Sequence, residues 1–257
     1  MKTIFTLFLT LTTIISLIQA LQFNSSGYFT IVQFTDFHYG GTEEQQTQTL
    51  ELQKMILDMV KPDLAVVTGD AVSTGSYYSG WFQDQWKTWT QLFVDANVPY
   101  AYTLGNHDDE GDLNRTEIVQ LDQTHPLSMR SQSEGIADTT NFGVSIYSSQ
   151  NDSQLAAHLW ILDSGSYDCE NFEMGYGCIE SNVVDWYNEE SQKIKDEHGT
   201  NIHHLAYFHI PLPEWINLLN TDPIYGNYGD VIACPVVNTG FFAAAQANGD
   251  ITAMFVG

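Results

Sequence analysis

The segment Leu64-Ala65-Val66-Val67-Thr68-Gly69-Asp70 decides the fold. A short apolar run that ends in a glycine and a carboxylate is typical of a buried strand with a functional residue at its carboxyl end. Three further apolar runs lead into polar residues that could bind a metal: Thr30–Phe34 before Asp36-Phe37-His38, Tyr100–Tyr102 before Gly105-Asn106-His107-Asp108, and Leu205–Phe208 before His209. Because open α/β sheets gather functional groups at the carboxyl ends of strands, we expect these polar residues to surround one spot.

Amphipathic segments between the early strands predict helices. Two sets of apolar residues recur at helical spacing: Leu52, Met55, Ile56, Met59 and Val60 after the first strand, and the aromatic stripe Phe82, Trp86, Trp89 and Phe93 after the second. We expect the aromatic stripe to lie in the core. Strand–helix–strand connections of this length join parallel neighbours through right-handed crossovers.

The second half of the chain predicts a different arrangement. We expect a hairpin in which Phe142–Tyr147 and His158–Leu162 flank the polar stretch Ser148–Gln154. A long helix is predicted at Ser181–His198, with Val183, Trp186, Tyr187 and Ile194 on one side. Three late strands are predicted at His203–Phe208, Val231–Val237 and Ile251–Val256. The whole is predicted to be one α/β domain, a two-sheet sandwich with helices outside.

The first 20 residues have the features of a secretory signal peptide. Met1-Lys2 is positively charged, Ile4–Ile18 is largely apolar, and Ala20 offers a cleavage site before Leu21. A signal anchor is the alternative, but the stretch is short against the roughly 20 apolar residues that span a bilayer. The prediction is a signal peptide at 1–20 and a domain at 21–257, without a stable membrane anchor after cleavage. The secretory pathway follows as the location, either extracellular or lysosomal/vacuolar.

Cysteines and sequons suit that compartment. Cys169 and Cys178 lie close together in a loop rich in Gly and Tyr and could form a disulfide, whereas Cys234 is either free or paired beyond residue 257. Asn24, Asn114 and Asn151 each begin an N-glycosylation sequon. The chain is therefore expected to be a glycoprotein.

Net charge excludes two classes of partner. The chain has a formal net charge of −24. This surface repels nucleic acid and anionic membranes, and also a phosphate-bearing substrate unless a local cluster of cations reverses the sign. We therefore expect a small-molecule partner bound at a metal site; the oligomeric state does not follow from the sequence.

The polar residues at the strand ends suit a pair of hydrolytic metal ions. Two metals about 3.5–4 Å apart need a bridging ligand, and a carboxylate can bridge them. Asp70 is the best candidate for the bridge. Asp36 and His38 would hold one metal, and Asn106 and His209 would hold the other. A hydroxide that bridges these metals would attack a phosphate ester.

Two residues beside the predicted ligands are candidates for proton transfer. His107 could donate a proton to the leaving-group oxygen or bind a phosphate oxygen, and Asp108 could orient that imidazole or be a solvated turn carboxylate. The remaining histidines are expected to have surface or structural positions: 125, 158, 198, 203 and 204.

The ordered set of motifs resembles the calcineurin-like metallophosphoesterase family. That family carries D-x-H, G-D, G-N-H-D or G-N-H-E, a strand-end His, and finally G-H-x-H; the first four match here across nearly the whole mature chain. The resemblance implies a four-layer α/β/β/α sandwich with a dinuclear metal centre. The stretch Phe208-His209-Ile210-Pro211, with Gly229–Cys234, looks closest to the secreted purple-acid-phosphatase-like branch.

Two departures modify what the resemblance implies. Purple enzymes place a ferric-ligand Tyr three residues after the bridging Asp, where this chain has Ser73, and another residue where it has His38. The resemblance therefore implies an Fe, Zn or Mn pair without the coloured centre. The last motif would begin at Gly257, so the chain as printed is expected to be C-terminally incomplete, with one ligand missing at each metal.

The sequence leaves three functions open. The leading hypothesis is a secreted metallophosphoesterase that hydrolyses phosphate monoesters. The alternatives are a phosphodiesterase acting on lipid headgroups or nucleotides, and a catalytically impaired glycoprotein on the same scaffold. Substrate choice depends on loops such as Ser73–Gly80 and Asp109–Gly135, from which no substrate can be derived.

Overall fold

The computed structural model describes residues 20–73, 78–221, 223, 225–227, 229 and 231–257. Residues 1–19 of the predicted signal peptide, and part of the loop predicted at 73–80, lie outside that range. The strands are β1 Ile31–Phe34, β2 Leu64–Thr68, β3 Tyr100–Thr103, β4 Phe142–Ser148, β5 Asn151–Ile161, β6 Tyr167–Cys169, β7 Phe172–Tyr176, β8 His203–Tyr207 and β9 Ile251–Phe255. The α-helices are α1 Glu43–Val60, α2 Trp81–Ala96, α3 Arg115–Gln123, α4 Ser181–His198, α5 Glu214–Thr221 and α6 Phe241–Asn248.

The first sheet is parallel, in the order β1-β2-β3. The central strand β2 is buried along its whole length, which explains its continuous apolar sequence. Since the three strands run in one direction, the residues that follow them gather at one edge. This confirms the parallel arrangement predicted for the first half of the chain.

The second sheet has the order β4-β5-β8-β9. Strands β4 and β5 form the predicted antiparallel hairpin, whereas β5, β8 and β9 are parallel. The turn of the hairpin is shorter than the predicted polar stretch because β5 already begins at Asn151. The carboxyl end of β8, which carries His209, lies between the ends of β5 and β9.

The layers follow from how β2 alternates its side chains. Ala65 and Val67 belong to the core between the first sheet and helices α1 and α2, whereas Leu64 and Val66 belong to the core between the two sheets. A third core lies between the second sheet and helices α4 and α6. The order helix, sheet, sheet, helix confirms the predicted four-layer α/β/β/α sandwich.

Helix α2 buries the predicted aromatic stripe. All four of its rings are buried, and Trp89 makes edge-on contacts with Tyr100 and Tyr102 at centroid distances of 5.6 and 5.5 Å. Burial of each such ring contributes about 2–3 kcal/mol. These contacts fix the helix against β3, whose end carries Asn106 and His107.

Helix α1 is present, as its apolar spacing predicts, but most of the apolar residues that recur along it are not buried. Four of the five residues of the predicted stripe are exposed: Leu52, Met55, Met59 and Val60. The fully buried residues are Gln53 and Leu57. The Gln53 amide donates to the Trp89 carbonyl and accepts from the Tyr39 hydroxyl, so its polar atoms are satisfied inside the core.

The predicted strand at 231–237 was wrong. Its described residues form irregular chain, and Val231 and Val236 are exposed. Strand β8 has no free edge to offer this segment, because β5 and β9 occupy its two sides.

Cys169 and Cys178 form the predicted disulfide. Cys234 takes no part in a disulfide among the described residues. Within the described ranges, the helices are too short or too polar to cross a bilayer. Glycosylation, signal cleavage and secretion stay predictions.

Candidate metal centre

The loops after β1 and β2 meet at the carboxyl edge of the first sheet. The Asp36 N–H donates to the Gly69 carbonyl at 3.1 Å, and the His38 N–H donates to the Asp70 carbonyl at 2.9 Å. Asp36, His38 and Asp70 all have φ between 49° and 55°, in the left-handed region. Non-glycine residues adopt this conformation at a cost, and such strain concentrates at functional sites. Here it turns three side chains towards one another.

Asp36, His38 and Asp70 form the first predicted donor set. One candidate ligand atom from each lies within 4.8 Å of the others. His38 Nε2 is 3.5 Å from Asp36 Oδ1 and 3.8 Å from Asp70 Oδ2. Burial opposes ionisation of Asp36, but hydrogen bonds with His38 and Thr35 outweigh it and lower its pKa. Asp36 is therefore an anion at neutral pH.

His209 and Asn106 approach Asp70 from the other side. His209 Nε2 lies 3.3 Å from Asp70 Oδ2 and 3.0 Å from Asn106 Oδ1. His209 Nδ1 lies 2.8 Å from the Thr68 carbonyl, an acceptor that assigns the ring proton to Nδ1. The Nε2 lone pair therefore faces two oxygen atoms, an orientation typical of a metal-binding imidazole.

The donor sets fit a pair of metal ions. Three electron-pair donors face one another here: the His209 imidazole lone pair, the Asn106 amide oxygen and an Asp70 carboxylate oxygen. A cation placed between them would be bound by all three. The Asp70 carboxylate belongs to both sets, as a bridging ligand must. Carboxylate, amide and imidazole ligands together suit Fe, Zn or Mn. The five predicted ligands thus come together in one place.

Asp108 has a different position from the one predicted. Its fully buried carboxylate accepts hydrogen bonds from the backbone N–H groups of Asp70, Val72 and Gly105, at 2.9, 3.0 and 2.7 Å. It therefore ties the loop after β2 to the loop after β3. The prediction that Asp108 orients the His107 imidazole, or is a solvated turn residue, was wrong because both of its oxygens bind backbone.

Glu110 is the residue that contacts the His107 ring. His107 Nδ1 lies 2.8 Å from Glu110 Oε1, and the His107 N–H donates to Asp70 Oδ1 at 2.9 Å. The His107 side chain is 36% exposed, and its ring centroid lies 5.6 Å from that of His38. Sequence reasoning missed Glu110. The signal was an acid three residues after His107 in a short 3-10 helix, Asp108–Glu110.

Arg115 and Asp163 are two further residues that the sequence did not reveal. The Arg115 guanidinium donates to the Gly105 carbonyl at 2.8 Å and to Asp163 Oδ1 at 2.5 Å. It thereby connects the end of β3 to the end of β5 in the second sheet. The sequence offered one indication for Arg115: the chain has only eight Lys and Arg residues, so each cationic side chain is a candidate for a specific role.

Gly257 lies at the same edge of the sandwich. Its N–H donates to the His209 carbonyl at 3.1 Å, and a side chain at this position would meet the His209 ring and Thr35. The chain that follows β9 thus lies beside the second donor set. The expectation that a Gly-His-x-His motif begins here stays a prediction.

Comparison with known proteins assigns this arrangement. Residues 29–238 match the family described as calcineurin-like phosphoesterase. The chain belongs to the calcineurin-like phosphoesterase family. This family of hydrolases acts on phosphoric esters.

The individual relatives share less than 30% of their residues with this chain. The chain is 28% identical to the "Probable inactive purple acid phosphatase 29" of Arabidopsis thaliana, over 92% of this chain and 68% of that protein. It is 29% identical to the "Phosphatase DCR2" of Saccharomyces cerevisiae, over 86% of this chain and 42% of that protein. A crystal structure of a dimetal phosphatase from Danio rerio has the same fold, with a TM-score of 0.61, 10% identity, and coverage of 88% of this chain and 80% of that chain.

Proposed function

We propose that this protein is a secreted, metal-dependent phosphoesterase that hydrolyses phosphate monoesters. One observation carries the proposal: the Asp70 carboxylate lies between two donor sets, Asp36 with His38 and Asn106 with His209. Cations bound there would offset the charge of a phosphoryl group and acidify water. The negative net charge of the chain makes this local reversal necessary for binding an anion.

His107 is the proposed proton donor to the leaving-group oxygen. Its Nδ1 is engaged by Glu110, so Nε2 is the atom that can transfer a proton. Glu110 is a positioning residue in this scheme, because it touches the imidazole rather than the substrate. The Asp70–His107 backbone bond keeps the ring beside the donor sets.

We propose a metal pair of Fe, Zn or Mn without a tyrosinate ligand. Ser73 occupies the position at which a purple enzyme would supply the phenolate, and its backbone N–H donates to the Tyr39 carbonyl. The loaded protein should be colourless in the visible range where an Fe(III)–tyrosinate centre absorbs. A purple preparation would contradict this assignment.

A secretory location is part of the proposal. The Cys169–Cys178 disulfide supports it, because such bonds persist in oxidising compartments. The proposed substrate is a small soluble phosphate ester, and neither nucleic acid nor an anionic membrane suits the charge of the surface.

The test is release of the coloured alcohol from a chromogenic phosphate monoester and from the matching diester. Purified protein is assayed with added Mn, Zn or Fe and with chelator, and an Asp70→Asn variant serves as the blank. We expect faster hydrolysis of the monoester and loss of activity with chelator. Preference for the diester would favour the phosphodiesterase alternative.

A catalytically impaired scaffold is the competing function. The Arabidopsis relative above carries the words "probable inactive" in its name. Protein that binds two metal ions but releases no coloured alcohol from either ester under any metal would favour this alternative. The metal-binding measurement separates it from a protein that has no metal site at all.

A further inference from the structure

The segment between β5 and β7 holds Asn106 at two points. Ser166 Oγ donates to the Asn106 carbonyl at 2.9 Å, and the Asn106 Nδ2 group donates to the Tyr167 hydroxyl at 3.4 Å. Two consecutive residues therefore engage the backbone and the side chain of one candidate ligand. Because Nδ2 faces Tyr167, the amide presents Oδ1 to His209 Nε2.

The same segment also contacts the chain beside His209. The hydroxyl of the fully buried Ser164 accepts a hydrogen bond from the Ile210 N–H at 2.9 Å. Asp163 accepts from Arg115, which in turn holds the carbonyl of Gly105. These contacts fall on the Asn106 and His209 side of Asp70, and not on the side of Asp36 and His38.

The disulfide links β6, the strand that contains Tyr167, to the chain after β7. Strands β6 and β7 pair Tyr167 with Tyr176, whose rings stack at 6.1 Å. The Cys169–Cys178 bond joins the end of β6 that lies beside the turn to the chain two residues after β7. The Gly177 N–H also donates to the Ser166 carbonyl at 3.0 Å. A two-stranded hairpin of this size is marginally stable alone in water, so the covalent link matters for its position.

We propose that Ser166 and Tyr167 are positioning residues for Asn106, and that the disulfide-linked hairpin β6–β7 presents them. This inference rests on the proposed role of Asn106 and His209 as metal ligands. It goes further by assigning this hairpin to one metal of the pair. Loss of the hairpin contacts should weaken the metal held by Asn106 and His209 and leave the metal held by Asp36 and His38 unchanged.

Cobalt titration tests the proposal without reference to activity. Co²⁺ binding to the full chain is followed by visible absorption, which reports the number of ions, their affinities and the geometry of each site. Loss of an outer contact to a metal ligand typically costs 10–100-fold in affinity. We therefore expect Tyr167→Phe, Ser166→Ala and the double variant Cys169→Ala/Cys178→Ala each to weaken one of the two ions by about 10-fold or more.

Matched controls separate positioning from a general loss of structure. Ser166→Thr keeps the hydroxyl, and Tyr176→Phe removes a hydroxyl from the same hairpin without touching Asn106; both should bind two ions with wild-type affinity and spectrum. If the disulfide variant fails to fold, the two hydroxyl variants decide the matter. Wild-type affinities and spectra in both Tyr167→Phe and Ser166→Ala would overturn the inference. Wild-type protein that binds no cobalt would overturn the proposed function itself, and the inference with it.

Discussion

Glu110 Oε1 lies 2.8 Å from Nδ1 of His107, so the candidate proton donor is held by an acid from its own loop. Glu110→Ala removes this contact, and we expect the turnover number to fall roughly 10-fold, against a fall of about 10²–10⁴-fold for His107→Ala. Rates of phosphate release with saturating metal provide the measurement. The loss should be larger for an alkyl phosphate than for a nitrophenyl phosphate, because a good leaving group needs little protonation.

Glu110→Gln is the matched control for that variant. It keeps an acceptor oxygen near His107 without the charge, so its activity should lie between those of the wild type and Glu110→Ala. Equal rates in all three proteins would show that Glu110 does not position the imidazole.

The shared position of Asp70 predicts unequal metal losses. Asp70→Asn should abolish binding of both ions, because both donor sets lose their common carboxylate. Asp36→Asn should remove one ion and leave the other. Metal content per chain after gel filtration gives expected values of about two, one and none for the wild type, Asp36→Asn and Asp70→Asn. Retention of both ions by Asp70→Asn would contradict the bridge.

Asp108 should contribute mainly to stability. Asp108→Asn places an amide group among three backbone donors, so one buried N–H loses its acceptor. We expect a loss of about 3 kcal/mol in the free energy of unfolding. For a domain of this size that corresponds to a melting temperature lower by roughly 6–12 °C. Thermal unfolding with chelator present measures it.

The neighbouring variant Asp109→Asn provides the comparison. Asp109 is partly exposed and lies 3.6 Å from Arg115, so its loss should cost less than about 1 kcal/mol. Similar melting temperatures for the two variants would indicate that Asp108 is solvated rather than buried.

His158 should make stability depend on pH. Its buried ring contacts Ser145 through Nδ1, and burial lowers its pKa to about 3 from an ordinary 6.5. The unfolded chain takes up this proton below about pH 6.5, whereas the folded chain does not until about pH 3. The contribution to stability is therefore complete above pH 6.5 and is lost as the pH falls towards 3.

The variant His158→Gln cannot take up this proton. Urea unfolding with chelator between pH 7 and pH 4 should show that the wild type loses up to about 1.4 kcal/mol per pH unit relative to the variant. Parallel stability curves for the two proteins would contradict a buried, neutral His158.

Local patterns predicted most of the fold. The aromatic stripe of α2 and the apolar run of β2 are buried as expected, because exposing so many apolar side chains to water would be unfavourable. Helix α1 shows the limit of this reasoning. Its periodicity was weak, and the polar Gln53 became its inner face through bonds to Tyr39 and Trp89, which lie elsewhere in the chain.

The sequence by itself determined the family, the four-layer sandwich and the positions of the five candidate ligands. Each depends on a local signal, an apolar run followed by a glycine, a carboxylate or an imidazole. Only the tertiary structure decided that Glu110 rather than Asp108 contacts His107, and that Ser166 and Tyr167 hold Asn106. Such pairings depend on the direction in which a side chain leaves its turn and on approaches of a few ångströms between distant segments, and residue order alone does not specify them.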